Sequence, residues 1–405
     1  MQGVGRIDNS VPKLLPRNPN PSDRDLVLDV SRLIWRVWTG RLATGIDKVC
    51  LAYLSHFGPS ALAMIQYGRL RMVFDAPASD RLFALLAAGG PKFRQSFVSW
   101  SMGALIHRYR GGLSGKIYLN VGHTGLNASG LVTWLQASGM RPVFLIHDLI
   151  PITHPQFCRP GESQHHTRRI RHALACADGI IVNSQDTLDK LAGFAAAHGY
   201  RLDKTTVAWL GIDHVAPSPA ETIASERPNF LVVGTIEARK NHILLLRIWE
   251  RLFKRFGEEL PRLIVVGQRG WEAEDAIALL DQAKNIHGGV QELGKCSDAT
   301  LAELTRHTRA LLMPSYAEGF GLPVLEALQL GVPVIASDLA VFRELAGSIP
   351  LYLDPEAEPA WEAAIVDFFS DSDERERQLR AITTFPAPSW NQHFANIESF
   401  LAELP

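Results

Sequence analysis

Two glutamates, Glu318 and Glu326, lie eight positions apart. The stretch between them contains Gly319, Gly321 and Pro323. Glycine allows a tight backbone path and proline suits the first position of a helix, so the stretch predicts a loop that opens a helix. Backbone amides at a helix start bind anions, and a carboxylate accepts hydrogen bonds from two hydroxyl groups. The pattern favours a site for an anionic, hydroxyl-rich ligand over a plain helix cap with a solvated glutamate.

A basic pair stands upstream in a similar context. The run NFLVVG is typical of a strand that ends at Gly234, and the loop after it carries Arg239 and Lys240 before Asn241, a good capping residue for a helix. Positive charge at a helix start opposes the helix dipole, so a bound anion explains the pair better than helix stability does. Ordinary surface charge is the alternative. With the glycine-rich stretch, the pair predicts a phosphate site.

The elements around these residues are predicted to be parallel sheets covered by helices. Short β-branched and apolar runs alternate with helical stretches along the chain, as in βαβ units. The predicted strands are DLVLDVS, ALAMIQY, KIYLNVG, PVFLIHD and GIIVNS in the first half, and NFLVVGT, RLIVVGQ, VQELG, RALLMPS and VPVIASD in the second.

The resulting plan is an α/β protein with two Rossmann-like domains. A chain of 405 residues is longer than one ordinary core requires, which agrees with this plan. The Pro-, Ser- and Ala-rich segment 214–228 is the predicted linker. The other predicted parts are a flexible leader over 1–23, an N-terminal domain over 24–213, a C-terminal domain over 229–385 and an amphipathic helix over 386–405.

Composition and charge narrow the functional classes. No run approaches the roughly 20 apolar residues that span a bilayer, and the N-terminus has no apolar signal segment. The four cysteines are scattered without zinc spacing, which favours a reduced cytoplasmic protein. Residues 1–215 carry 24 Lys and Arg against 14 Asp and Glu, whereas the rest carries 17 against 28. Either the halves attract each other, or the first half faces an anionic partner such as a lipid surface or a phosphorylated acceptor. No nucleic-acid partner is expected.

The C-terminal motifs together resemble those of the retaining glycosyltransferases of family 4. The resemblance covers most of residues 229–340 and rests on Gly234, the Arg239-Lys240 pair, Leu293-Gly294, Glu318-Gly-Phe-Gly and Glu326. It implies the GT-B fold, in which two Rossmann-like domains face a central cleft. It also implies a nucleotide-sugar donor. The tail containing Trp390 resembles the family's closing helix, which returns to the first domain.

The resemblance further implies roles for single residues. The donor diphosphate would lie on Arg239, Lys240 and the backbone amides near Gly321. Glu326 would hold the ribose, Glu318 would contact the transferred sugar, and Lys295 would contact the nucleobase. The remaining donor-binding residues of the second half are Gly234, Gly319, Phe320 and Leu322.

The N-terminal half resembles the family more loosely. The stretch TGRLATGIDKV resembles a glycine loop and first helix near the donor phosphates, with Gly45 as the contact. The segment PVFLIHDLIPITHP resembles a strand followed by His147 and Asp148, and His123 resembles an active-site histidine that follows another strand. A structural role is the alternative for each histidine, but strand ends are where α/β proteins place their sites. The predicted catalytic set is His123, His147, Asp148 and Glu318.

Other enzymes of similar fold match the motifs less well. A nicotinamide dehydrogenase needs GxGxxG between a strand and a helix, and none is suitably placed. A phosphate-loop NTPase is disfavoured because the run Gly111–Lys116 is one residue short of the phosphate-loop motif. Asp371 and Asp373 have the spacing of a metal-binding DxD motif, but they lie in a charged run typical of a solvated helix start. No metal or other cofactor is therefore expected. A sugar-nucleotide epimerase stays open as an alternative. A non-enzymatic sugar-binding protein is a weaker alternative, because it would need no phosphate site.

The resemblance also indicates the substrates, and two basic segments indicate a membrane partner. Related bacterial enzymes often build surface polysaccharides, which implies a hexose donor such as GDP-mannose and a glycan or polyprenyl-diphosphate-linked acceptor. The segment 92–116 interleaves cations with aromatic residues, and Arg168, Arg169 and Arg171 form a second basic cluster. Such segments suit peripheral contact with an anionic membrane at the inner face. A helix packed on the sheet is the alternative for the first segment.

Overall fold

Two sheets of mostly parallel strands form the framework of the protein. The computed structural model describes residues 24–40, 45–90, 92–104, 106–213, 227–283, 289–294 and 296–404. The predicted leader, residues 214–226 of the predicted linker and Lys295 lie outside the described residues. The α/β class predicted from the alternating pattern is confirmed.

The first sheet belongs to the N-terminal half. Within the described residues its strands are β1 (Leu26–Asp29), β2 (Ala61–Tyr67), β3 (Leu70–Val73), β4 (Ile117–Asn120), β5 (Arg141–Ile146), β6 (Gly179–Val182) and β7 (Thr205–Val207). Their order is β3-β2-β1-β4-β5-β6-β7, with β3 antiparallel to β2. The short strands β3 and β7 are not among the predicted strands, because four and three residues give too little pattern.

Helices cover both faces of this sheet. They are α1 (Ser31–Thr39), α2 (Gly45–Phe57), α3 (Ala76–Ala88), α4 (Phe93–Ala104), α5 (Ser129–Ser138), α6 (Ile150–Thr153), α7 (Glu162–Cys176) and α8 (Gln185–Ala197). Strands covered on both faces are apolar throughout, as β6 shows with four buried residues.

The second sheet is parallel throughout its described strands. These are β8 (Asn229–Val233), β9 (Arg262–Val266), β10 (Val290–Leu293), β11 (Thr308–Met313), β12 (Val334–Ser337) and β13 (Leu351–Leu353), in the order β10-β9-β8-β11-β12-β13. The helices of this half are α9 (His242–Phe256), α10 (Glu274–Ala283), α11 (Asp298–Arg306), α12 (Leu322–Gln329), α13 (Ala340–Ala346), α14 (Glu358–Asp367) and α15 (Asp373–Ile382). None of the described helices is long and apolar enough to cross a membrane.

The last helix, α16 (Trp390–Ala402), packs against the N-terminal half. His393 is 1% exposed and lies between the carbonyl oxygen of Trp209, at 3.0 Å from Nδ1, and the hydroxyl of Tyr53, at 2.9 Å from Nε2. A Cβ atom on Gly211 would lie 2.2 Å from the Trp390 nitrogen, so only glycine allows the chain to pass this close. The helix thus crosses from the second sheet to the first.

Each sheet reverses its strand order at one place, and ligands of α/β proteins bind outside the carboxyl ends of the strands there. In the second sheet the reversal falls between β8 and β11. Gly234 follows β8, and the glycine-rich stretch follows β11. The fold therefore brings the two strongest sequence motifs to one crevice.

Candidate active site

The Glu318 carboxylate is the centre of a buried charge cluster. Its Oε1 accepts hydrogen bonds from Lys240 Nζ at 2.6 Å and Ser315 Oγ at 2.7 Å, and its Oε2 accepts one from Arg239 Nη1 at 2.9 Å. Burial on its own would raise the pKa of Glu318, but the Lys240 and Arg239 charges outweigh it and lower that pKa to about 2. The carboxylate is therefore ionised at neutral pH.

Arg239 has a second carboxylate partner. Its Nη2 donates to Glu237 Oε1 at 2.5 Å, and its Nη1 also donates to the Ala317 carbonyl oxygen at 2.7 Å. Burial opposes the charged form, but Glu318 and Glu237 raise the pKa of Arg239 above its ordinary value. We call Glu237, Arg239, Lys240 and Glu318 the charge cluster. With two cations and two anions it is balanced within the protein, and its cations are held in fixed positions.

The turn after β8 places Lys240 through close backbone approaches. Gly234 has a φ of 144°, and a Cβ atom there would lie 3.1 Å from Lys240 Cε. A Cβ atom on Gly267 would lie 1.8 Å from the Gly234 carbonyl oxygen, so two loops cross without room for side chains. Asn241 stands at the N-cap position of α9, as predicted, but its side chain does not cap the helix. Asn241 has a φ of 54°, and its Nδ2 donates to the Pro355 carbonyl oxygen at 3.1 Å.

The glycine-rich stretch lies against the N-terminal half. A Cβ atom on Gly319 would lie 2.9 Å from the His147 carbonyl oxygen and 3.0 Å from Asp148 Cβ. Gly321 has a φ of 94°, and a Cβ atom there would lie 2.4 Å from the Phe342 ring. Phe320, between them, is 5% exposed and packs in the hydrophobic core. The Phe320 side chain therefore anchors the loop, and only its backbone is left to meet a ligand.

Two helix starts meet at this crevice. The helix α12 begins at Leu322 with Pro323 in its first turn, as predicted, and Gly45 begins α2 in the other half. A Cβ atom on Gly45 would lie 3.7 Å from Leu322 Cδ1. Residues 41–44 of the predicted glycine loop lie outside the described residues. Because the start of a helix carries partial positive charge, two such starts favour an anion between the halves.

Glu326 faces a cation that the sequence does not identify as a site residue. Its Oε1 lies 3.7 Å from Lys48 Nζ, and Lys48 Nζ lies 3.0 Å from Asp298 Oδ1. Burial raises the pKa of Glu326, and Lys48 opposes that shift. Lys48 lies one turn after Gly45 on the same helix face, which is the sequence signal that could have identified it.

Three histidines gather at the carboxyl ends of β4 and β5. The rings of His123 and His147 are 5.1 Å apart, and those of His123 and His166 are 6.0 Å apart. His123 Nε2 donates to the Leu145 carbonyl oxygen and His147 Nε2 to the Val121 carbonyl oxygen, both at 2.8 Å. These bonds leave Nδ1 as the acceptor atom of each neutral ring.

Burial keeps these histidines neutral. It lowers the pKa of His147 to about 4 and that of His123 well below its ordinary value, where the neighbouring His147 lowers it further. Burial also lowers the pKa of His166. Neutral rings carry no charge, and the Nδ1 atom of each can accept a hydrogen bond from a sugar hydroxyl group. His166 carries no sequence signal that separates it from the polar face of α7.

Asp148 connects the histidines to the second half. Its Oδ1 accepts a hydrogen bond from the Ile150 nitrogen at 3.0 Å, and its carbonyl oxygen accepts one from His166 Nε2 at 3.0 Å. Its carboxylate charge acts on Arg239 of the charge cluster and raises the pKa of that guanidinium. The structure thus brings the predicted catalytic residues of both halves to one cleft, while the roles of the single residues stay predictions.

The comparisons with known proteins agree with this architecture. Residues 218–383 match the family described as Glycosyl transferases group 1. The chain is similar to the serotype-specific mannosyltransferase WbdA of Escherichia coli, with 29% identity over 238 residues that cover 55% of this chain and 29% of that protein. It is also 30% identical over 243 residues to the O-antigen chain mannosyltransferase B of Escherichia coli, which covers 58% of this chain and 63% of that protein. The chain thus spans less than two thirds of the length of these relatives.

Solved structures match along nearly the whole chain. Alr3699/HepE of Anabaena in complex with UDP and glucose superposes with a TM-score of 0.66 at 17% identity, over 94% of this chain and 99% of that one. The sucrose-phosphate synthase of Thermosynechococcus elongatus gives 0.62 at 14% identity, over 94% and 98%. Such identities show the fold alone, and membership of family 4 stays a prediction. The chain therefore has the GT-B fold and carries a Glycosyl transferases group 1 domain over residues 218–383.

Proposed function

We propose that the protein is a retaining glycosyltransferase that transfers mannose from GDP-mannose to a glycan or polyprenyl-diphosphate-linked acceptor in polysaccharide biosynthesis. The observation that carries the proposal is the charge cluster at the crevice between β8 and β11, beside the opposed starts of α2 and α12. The group 1 domain and the two mannosyltransferase relatives support the choice of reaction and sugar. A cytoplasmic location is part of the proposal and rests on the scattered cysteines of the sequence.

The reaction needs fixed positive charge more than it needs a nucleophile. When the bond between the anomeric carbon and phosphate breaks, negative charge grows on the diphosphate and positive charge on the sugar. Arg239 and Lys240, held in place by Glu318 and Glu237, are oriented before the donor arrives, and the amides at the start of α12 add to them. No metal or other cofactor is required for this step.

The other residues take positions around that bond. Glu318, a member of the charge cluster, contacts the transferred sugar. Glu326, farther along α12, holds the ribose. The neutral rings of His123 and His147 accept hydrogen bonds from hydroxyl groups of the sugar. The acceptor attacks on the face that the diphosphate leaves, and the leaving phosphate takes the acceptor's proton, so the anomeric configuration is retained.

A donor panel tests this proposal directly. GDP-mannose, UDP-glucose and UDP-N-acetylglucosamine are each incubated with a polyprenyl-diphosphate-linked oligosaccharide, and the released nucleotide and the product are measured, with NMR of the anomeric proton. Transfer of mannose with an α linkage, lost in Arg239→Met, is the expected result. Epimerised nucleotide sugar without transfer would support the epimerase alternative, and binding without turnover would support a sugar-binding protein.

A further inference from the structure

Helices α1 and α4 expose large apolar side chains to solvent. Eight large apolar side chains are exposed among the residues that the structure describes, and five of them lie on α1, on α4 or just after α4. Their exposed fractions are 58% for Trp35, 37% for Trp38, 45% for Val98, 79% for Met102 and 74% for Ile106. We call these five residues the α1–α4 patch. Single exposed apolar residues are ordinary, but a group of this kind marks an interaction surface.

The helix α4 has a buried apolar side and also exposes two apolar side chains on its outer side. Its inner side carries Phe93 and Ala104, which are buried, and Phe97 and Trp100, which are half-buried against the core. Its outer side carries Arg94, Val98 and Met102 at intervals of four residues, so these three lie on one face. A helix that packs through one apolar side needs no second one for folding, so the outer side is available to a partner.

Direct contacts join α1 to this outer side. Arg94 Nε donates to the Trp38 carbonyl oxygen at 2.7 Å, and the Arg94 guanidinium lies 5.7 Å from the Trp38 ring centre. Trp38 also meets Phe97 edge to face at 6.1 Å between ring centres. Trp35 lies one turn before Trp38 and faces the same way. The end of α1 thus packs against the first half of α4, which places exposed apolar side chains on two contacting helices.

The segments that carry the patch are positively charged, and an acidic side chain that meets them is Asp75, whose Oδ2 lies 3.1 Å from His107 Nδ1. Residues 31–46 and 92–116 contain no Asp or Glu. Lys92, Arg94, Arg108 and Arg110 are exposed in or next to α4 and its continuation. The second basic cluster of the sequence lies elsewhere, because Arg169 donates to Glu162 at 2.7 Å and its charge acts on His123 in the cleft.

We propose that the α1–α4 patch docks the protein on an anionic lipid surface. Tryptophan side chains favour the interface between lipid and water, apolar side chains such as Met102 and Ile106 enter the acyl boundary, and the surrounding cations meet anionic headgroups. The helix α1 leads into α2, which begins at the cleft with Gly45. Docking therefore holds the cleft next to the surface. The proposal stands without the proposed sugar transfer.

Vesicle co-sedimentation of the full chain tests the proposal. Vesicles of phosphatidylglycerol and phosphatidylcholine are compared with pure phosphatidylcholine vesicles at low and high salt. Binding is expected only with the anionic vesicles and is expected to weaken with salt. Met102→Glu with Ile106→Glu should lower partitioning about tenfold or more. Arg108→Gln with Arg110→Gln should lower it by about fivefold for each cation removed. All four side chains are exposed, so the melting temperatures of the variants should match that of the parent protein.

Two control variants show whether binding depends on the α1–α4 patch. Met102→Leu keeps the side chain apolar and should bind as the parent does, and Lys254→Glu, on the exposed side of α9, reverses a charge far along the chain and should have no effect. Equal recovery with neutral and anionic vesicles would overturn the proposal. A dimer measured by light scattering without vesicles, and dissociated by Met102→Glu, would assign the patch to a second copy of the chain and would overturn it as well.

Discussion

Lys48 of the N-terminal half and Glu326 of the C-terminal half face each other across the cleft, with 3.7 Å between Nζ and Oε1. Burial raises the pKa of Glu326, and the Lys48 charge holds that rise back. An exposed glutamate titrates near pH 4.3, so a raised pKa brings protonation of Glu326 closer to neutral pH. Lys48 therefore helps to keep the proposed ribose contact ionised.

Replacement of Lys48 by glutamine should shift the pH dependence of donor binding. Without the lysine the pKa of Glu326 rises further, so the donor KM should begin to increase at a higher pH as the solution is acidified. Lys48→Arg keeps the charge and should follow the parent profile, while Glu326→Gln should raise the donor KM at every pH with little change in kcat, because a ribose contact is equal in ground and transition states. Donor KM measured across the acidic range checks this. Identical profiles for Lys48→Gln and the parent would show that Lys48 does not act on donor binding.

Glu318→Gln should affect both turnover and stability. The sugar changes charge and shape as the bond breaks, so loss of this carboxylate should lower kcat by roughly a hundredfold or more. The same change removes the buried carboxylate that Arg239 and Lys240 share, and breaking a buried ion pair costs about 3 kcal/mol of unfolding free energy. Urea unfolding and steady-state kinetics measure the two effects.

A double variant separates these two effects of Glu318. Glu318→Gln with Lys240→Met removes one charge of each sign, so it should regain part of the stability. It should regain no activity, because Lys240 is a proposed phosphate contact. Activity that returns together with stability would mean that Glu318 serves folding alone. An unchanged kcat in Glu318→Gln would contradict the proposed sugar contact.

His123→Ala and His147→Ala should each lower turnover by about a hundredfold, as expected for a residue that exchanges protons or hydrogen bonds with substrate. Each ring also donates to a backbone carbonyl oxygen in or just after a strand, so truncation should cost about 1–3 kcal/mol of unfolding free energy. His393→Ala is the matched control, since His393 is buried and hydrogen-bonded on α16. It should lose stability and keep its turnover at temperatures where the protein is folded. Parent turnover in both cleft variants would remove these histidines from the site.

The sequence was sufficient to predict ten of the thirteen described strands and the motifs that follow them, whereas β3, β7 and β13 were missed. The strand patterns of both halves are confirmed, since β-branched runs buried on both faces leave a strong local signal. The predicted helix start at Pro323 is confirmed to within one residue, because glycine allows the tight turn before α12 and proline fixes the backbone in its first turn. Strand patterns and helix starts can be predicted from sequence because they depend on residues that are neighbours in the chain.

Contacts between distant segments could not be predicted in the same way. The sequence suggested phosphate contacts for Arg239 and Lys240 and a sugar contact for Glu318, but gave no sign that these side chains pair with one another 78 and 79 positions apart. Lys48 and His166 have ordinary helical neighbours, and only the packing of the two halves gives them a place in the cleft. Asn241 fits a helix cap by residue type, yet its side chain binds Pro355 instead.

Glu344 on α13 joins the second half to the start of α8 in the first. Its Oε1 accepts hydrogen bonds from the Gln185 nitrogen and from Trp209 Nε1, both at 2.8 Å, and its Oε2 accepts one from the Asp186 nitrogen at 3.1 Å. A carboxylate at a helix start satisfies free amides and suits the helix dipole. This contact should therefore favour the arrangement in which the halves are close.

Glu344→Ala should loosen that arrangement. The loss of three hydrogen bonds should lower the free energy of unfolding by about 0.5–2 kcal/mol, in the range of a lost helix cap, and should increase the radius of gyration in small-angle X-ray scattering. Trp209→Phe is the graded control, since it removes the indole bond and keeps both amide bonds, so its effects should be smaller. A nucleotide that binds both halves should restore the compact radius in Glu344→Ala, because ligand binding favours the closed state. A radius that stays equal to that of the parent protein without nucleotide would show that other contacts hold the halves together and that Glu344 caps α8 without controlling the cleft.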